Sequence, residues 1–137
     1  MINVTSLHHA PDPETGFGEP LTFDVLGLPV PKARPRVTRS GTTYTPRRTL
    51  NYERAVSLAF RAAQGRHRPF AAGVPVSLVI EAYFPLPAGA PRREQLYIDG
   101  GGARLMAARP DIDNLVKTVL DALNGLAWAD DGQVAQI

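Results

Sequence analysis

Residues 109–134 read RPDIDNLVKTVLDALNGLAWADDGQV, and this stretch decides how the chain folds. Pro110 fixes its own φ and pushes Arg109 towards extended backbone, while Asp is a preferred N-cap residue, so a helix is expected to begin between Asp111 and Asp113. From there Ile112, Leu115, Val116, Val119, Leu120 and Leu123 recur at steps of three, one, three, one and three, which makes one apolar stripe for a core. Asp113, Lys117 and Asp121 take the other face. Gly125 is expected as the left-handed residue that ends the helix, and Leu126 to Ala129 form a short apolar return that delivers Asp130 and Asp131 to a turn opened by Gly132.

The acidic spacing carries chemistry. Two Asp residues two positions apart lie about 200° apart on a helix but share a face in extended backbone, so Asp111 and Asp113 converge only if the helix starts late. A hard cation such as Mg²⁺ takes oxygen ligands and commonly uses a few carboxylates plus water or phosphate oxygens. Three converging Asp side chains suffice. The same residues also have a purely structural account, in which Asp111 caps the helix, Asp113 and Asp121 flank Lys117 in exposed i,i+4 pairs, and Asp130-Asp131 belong to a polar turn.

Upstream, the charge distribution is lopsided. The chain of 137 residues has a net charge of only +2, yet residues 32 to 68 hold ten of its fifteen Lys and Arg and a single acid, Glu53, leaving that window at +9. Guanidinium groups suit bidentate phosphate contacts, and such basic blocks mark nucleic-acid surfaces. Arg54 and Arg61 read as ordinary helix surface. Lys32, Arg34, Arg36, Arg39, Arg47 and Arg48 are different, because Pro29, Pro31, Pro35 and Gly41 hold most of them in loop or extended backbone where like charges gain nothing from helix pairing. These six, with Arg109, are the candidate DNA contacts.

The remaining elements follow from periodicity. Leu21, Phe23 and Val25 alternate with Thr22 and Asp24 as a half-buried strand ended by Gly27. Pro46 suits the first turn of a covering helix that runs to about Gln64, with Tyr52, Val56, Ala59, Phe60 and Ala63 inward and Gly65 as its stop. Alternation from Val74 to Phe84 predicts the central strand of the sheet. Residues 85 to 110 lose periodicity and gather Pro, Gly and Arg, so a long flexible loop is expected, with Arg92, Arg93, Arg104 and Arg109 available to close over a phosphodiester. Tyr44 either stacks on a base or packs beneath the basic loop, and Trp128 is placed to seal the helix against the sheet.

Several function classes drop out. With no Cys the chain has neither thiolate zinc sites nor a cysteine nucleophile, as befits an intracellular setting, and His8, His9 and His67 lack partners at metal-ligand spacing. Gly-rich nucleotide loops are missing, no apolar run reaches the ~20 residues of a membrane helix, and no Lys or Arg precedes residue 32 as a signal peptide requires. A cytoplasmic, nucleoid-associated protein without membrane contact is expected. The reading is an α/β (α+β) single domain over 21–137, a small mixed β-sheet covered by the helices near 46–64 and 113–124. A polar Pro/Gly-bearing tail over 1–20 is expected to be disordered.

Taken whole, the run from Arg109 to Val134 resembles the signature of the RusA family of Holliday-junction resolvases: an Asp-x-Asp-Asn-Leu-x-x-Lys opening, a helix carrying Asp-Ala-Leu, and an Asp-Asp-x-Gln-Val close. Pro29-Val-Pro-Lys-Ala-Arg-Pro-Arg36 is similar to the proline- and arginine-rich segment of phage-type members. The resemblance implies a Mg²⁺-dependent endodeoxyribonuclease, with Mn²⁺ as an alternative ion, that resolves four-way DNA junctions by paired nicks as a homodimer. It places the metal-binding carboxylates on Asp111, Asp113 and Asp131 and the catalytic lysine on Lys117. Asp130, Asn114 and Asp121 match positions without a settled role. Family members continue past Gln-Val with a further strand or hairpin, whereas this sequence stops at Ile137, so two alternatives stand: a domain truncated before its C-terminal strand, or a sheet completed differently. The rival readings are a branched-DNA-binding protein without turnover and a nuclease acting on flap or duplex DNA.

Overall fold

A computed structural model describes residues 1–8, 20–65, 70–105 and 109–137. Its core is a four-stranded mixed sheet in the order β2-β1-β5-β6, built from β1 (Ile2–His8), β2 (Leu21–Val25), β5 (Val76–Ala82) and β6 (Val134–Gln136). β1 runs antiparallel to both neighbours, with Val4 opposite Phe23 on one side and Ile80 on the other, while β5 and β6 are parallel through Val76 and Val134. A separate two-stranded ribbon pairs β3 (Arg36–Val37) with β4 (Thr43–Tyr44). The helices are α1 (Arg47–Gln64), α2 (Arg92–Asp99) and α3 (Ile112–Leu123), so the class is α+β, as expected.

One face of the sheet makes the core. Period-two alternation puts Ile2, Val4, Phe23, Val25, Val76 and Leu78 on that face, and all are buried. Against them pack Tyr52, Val56 and Phe60 of α1 and Val119, Ala122 and Leu123 of α3, sealed by Ala127 and Trp128. Phe23 meets Phe60 edge-on, with ring centroids 5.8 Å apart. The two helices are tied directly by Ser57 Oγ, which donates to the Ala122 carbonyl at 2.8 Å.

The covering helix begins after Pro46 and stops at Gly65, and β5 is internal to the sheet, both as expected. Gly125 has φ 70°, the left-handed geometry that closes α3. The apolar stripe of α3 needs correction. Ile112 is 77 % exposed, and the buried arc is instead Leu115, Thr118, Val119, Ala122 and Leu123. Ile112 sits in the first turn, beyond the edge of the sheet-facing surface. Thr118 tolerates burial because its hydroxyl donates to the Asn114 carbonyl at 3.1 Å.

Two further expectations fail. Residues 2–8 are no tail: they form β1, an internal strand hydrogen-bonded along both edges, with Ile2 and Val4 fully buried. What makes the segment a strand is the pairing it finds far along the chain. Residues 9–19 lie outside the described residues. The long loop over 85–110 contains α2, an eight-residue helix that starts after Pro91 and has no buried residue.

Candidate active site

The turn after α3 is built as a small fixed unit. Asp130 caps a 3₁₀ turn over Asp131–Gln133, its carboxylate accepting from the Gly132 N–H at 2.8 Å. Gln133 is the hub, for its amide oxygen accepts from the Ala129 N–H at 2.9 Å and its amide nitrogen donates to the carbonyls of Ala71 at 2.8 Å and Val74 at 3.0 Å. This pins the turn to the segment entering β5. Asp131 is aimed by Trp128, whose indole N–H donates to Asp131 Oδ1 at 2.8 Å. The buried indole therefore both fills the core and holds one carboxylate oxygen, and among the described residues Oδ2 has no hydrogen-bond partner.

At the other end, Asp111 occupies the N-cap position of α3 in extended backbone, yet its side chain makes no capping bond. Its backbone carbonyl does that work, accepting from the Asn114 and Leu115 N–H groups. The carboxylate is left for something else. Asp113, in the first turn and exposed, receives Lys117 Nζ on Oδ2 at 3.1 Å. That hydrogen bond is the main reason its pKa lies below the ordinary carboxylate range, so it stays ionised through the neutral range.

Among the described residues no three His, Cys, Asp or Glu side chains converge into a cage that could hold a metal ion. The donor chemistry of Asp111, Asp113 and Asp131 nevertheless suits a hard divalent cation: all three offer carboxylate oxygen, and among the described residues the Asp111 side chain has no partner. Asp130 and Asp121 are engaged otherwise, the first in its cap and the second in an ion pair with Lys32.

The basic segment reaches this site by a backbone bond. Lys32 N–H donates to the Asn114 carbonyl at 2.8 Å, which fastens the base of the basic segment to the first turn of α3, one residue from Asp113. Val30 beside it is buried in the core. Arg34, Arg36, Arg39, Arg47 and Arg48 are all exposed, and among the described residues none has a carboxylate partner. Arg109, just before Asp111, is likewise exposed and unpaired. Lys32 is not free: its ammonium lies 2.6 Å from both Glu53 Oε1 and Asp121 Oδ2. Partial burial pulls its pKa down, but the hydrogen bonds to Asp121 and Glu53 outweigh this and leave it above its ordinary value. Arg104 is also engaged, with Glu94 at 2.6 Å, and Tyr44 lies on the surface rather than beneath the loop.

Sequence reasoning found the acidic and basic groups and missed three residues that hold them: Gln133, Trp128 as a hydrogen-bond donor, and Glu53. The sequence signal for Gln133 was its spacing from Asp130, which is that of a capping box.

The family model described as Endodeoxyribonuclease RusA matches residues 27–137. The chain is 34 % identical over 122 residues to "Uncharacterized protein YqaN" of Bacillus subtilis (strain 168), covering 85 % of this chain and 83 % of that one. No solved structure gives a significant match. With its Asp-bearing helix, its Asp-Asp-x-Gln-Val turn and its arginine-rich arm all within the matched region, the chain belongs to the RusA endodeoxyribonuclease family.

Proposed function

We propose that the protein is a metal-dependent, structure-selective endodeoxyribonuclease that cuts four-way DNA junctions. One observation supports the reading: the backbone bond from Lys32 to Asn114 ties the base of an arginine-rich arm, exposed and without carboxylate partners among the described residues, to the helix start that bears Asp111 and Asp113. A phosphate backbone drawn to Arg34, Arg36 and Arg39 would then lie near Asp111, whose side chain makes no capping bond, and Asp113, which is paired only with Lys117.

Asp111, Asp113 and Asp131 would hold Mg²⁺ or Mn²⁺, which when bound supplies a water of lowered pKa and neutralises charge on the scissile phosphate. The chain's own contribution is positional. Trp128 fixes one oxygen of Asp131, the Lys117 ammonium holds Asp113 Oδ2, and the same ammonium stands close enough to offer positive charge to a phosphate in its transition state. Cutting opposed strands of a junction needs two sites in two-fold relation, so a homodimer belongs to the proposal. No helix among the described residues is long and apolar enough to cross a membrane, and a cytoplasmic site of action fits a DNA substrate.

The non-convergence of the carboxylates favours one rival, a junction-binding protein without turnover. A labelled mobile four-way junction separates the two. Symmetric nicks that require Mg²⁺ and vanish in Asp113→Asn, with junction affinity kept, are expected. Binding without nicks at any divalent concentration establishes the rival, and nicking of linear duplex or flap DNA at equal rate rejects junction selectivity.

A further inference from the structure

The β3–β4 ribbon carries Arg36 and Arg39 outside the main sheet, and every residue from Arg34 to Tyr44 is exposed. A hairpin this short does not hold an orientation alone in water. Its direction must come from its two roots. One is Pro46 with the start of α1, where Thr49 is buried. The other is Lys32, the last residue before the chain leaves the body of the protein.

Lys32 is anchored three ways. Its N–H is bonded to the Asn114 carbonyl of α3, and its ammonium touches Glu53 of α1 and Asp121 of α3, both at 2.6 Å. Lys32 and Glu53 are only 26 % and 16 % exposed at their side chains, so this contact is partly shielded from solvent. One ammonium thus joins the arm to both helices of the core layer. If it left, two carboxylates would face each other across the seam between α1 and α3 with no cation between them.

We propose that Lys32 is a latch rather than a phosphate contact: a positioning residue that, seated on Glu53 and Asp121, fixes the arginine-bearing ribbon beside the Asp113 end of α3. This rests on the reading of the arm as a DNA surface. The two roles predict opposite signs for the same substitution. If Lys32 contacts phosphate, Asp121→Asn or Glu53→Gln frees its ammonium and removes a negative charge near the polyanion, and binding tightens. If Lys32 is a latch, either change loosens the ribbon, and binding weakens although the protein has become more positive.

The test uses the full chain and three readouts: limited trypsin cleavage after Arg36 and Arg39 without DNA, junction affinity across a salt series, and thermal unfolding. For Asp121→Asn and Glu53→Gln, we expect arm cleavage at least several-fold faster, junction binding weaker by about threefold or more, and a flatter salt dependence because fewer arginines reach phosphate. Lys32→Met should reproduce both effects, and Lys32→Arg, which keeps the charge without the compact ammonium, should reproduce them in part. A purely structural role would lower the unfolding temperature without changing the salt slope of the folded protein. Unchanged arm cleavage in both carboxylate variants overturns the latch. Faster cleavage with unchanged or tighter junction binding overturns its positioning role. If the wild-type protein fails to bind junctions, the functional reading falls and the positioning role falls with it, while trypsin still decides whether the latch exists.

Discussion

Removing Arg34 and Arg36 together tests the DNA surface most directly. Both guanidinium groups are exposed and unpaired among the described residues, so neither change breaks an internal contact. Each phosphate neutralised on B-form DNA contributes about 0.9 to the slope of log affinity against log salt, through counterion release. Arg34→Ala with Arg36→Ala should therefore flatten that slope by about 1.8. Over a fourfold rise in salt, from about 50 to about 200 mM, the double variant should lose roughly twelvefold less affinity than the wild type does. Fluorescence anisotropy with a labelled four-way junction, in EDTA so that no cutting occurs, measures both the slope and the affinity. Arg54→Ala, on the exposed side of α1, is the control and should change neither by more than its share of net charge. A double variant with wild-type slope and affinity would falsify the assignment, since two unpaired cations in contact with phosphate have no other way to disappear from the salt dependence.

Three other outcomes follow from single contacts. Lys117→Ala should cut the single-turnover rate about tenfold or more, roughly 1.4 kcal/mol, with junction affinity kept; if the ammonium is only an i,i+4 partner of Asp113, the rate survives and stability falls by about 0.2 to 0.5 kcal/mol. Trp128 is the one tryptophan and its indole N–H is bonded to Asp131, so its emission should respond saturably to Mg²⁺ or Mn²⁺; the same response in Asp131→Asn would remove Asp131 from the metal ligands. Tyr52 is buried with a hydroxyl that finds no partner among the described residues, and burial alone pushes its pKa up to about 12. Because the unfolded chain gives up this proton near pH 10, the folded state loses stability as pH rises from there to about 12, by at most roughly 3 kcal/mol. Tyr52→Phe should be at least as stable at neutral pH and should lack that alkaline loss in chemical denaturation; an unaltered alkaline profile places the titration elsewhere.

The elements read correctly from the sequence are those whose burial imposes a period: β2, α1, β5 and the body of α3. The misses are instructive for the opposite reason. In β1, Ile2 and Val4 alternate with Asn3 and Thr5, a pattern too short to stand out before a Pro- and Gly-bearing stretch, and its strand character comes from partners at Leu21–Val25 and Val76–Ala82. In α2, no side chain is buried, so there is no apolar stripe for periodicity to find; only Pro91 before it and Gly100 after it mark its ends. Ile112 shows the reverse error, an apolar residue at the right spacing that the end of the helix carries past the core.

At the site, the sequence displays residue types and hides pairing. Ten cations and one acid in residues 32–68 read as a uniformly positive surface, yet that one acid, Glu53, is what engages the first of the ten. The choice of cation is physical. The chain has two lysines, and both are bonded to α3, Lys32 through Asp121 and Lys117 through Asp113. A compact ammonium can sit between two carboxylates from different helices, as Lys32 does, whereas the planar fork of a guanidinium is made for one carboxylate or one phosphate at a time. Every cation of the arm beyond Lys32 is an arginine, exposed and without a carboxylate partner among the described residues. The division between the cation that binds the protein to itself and those left for a polyanion thus follows side-chain geometry, which is why Lys32→Arg is the informative replacement: it keeps the charge and tests whether the compact shape is needed.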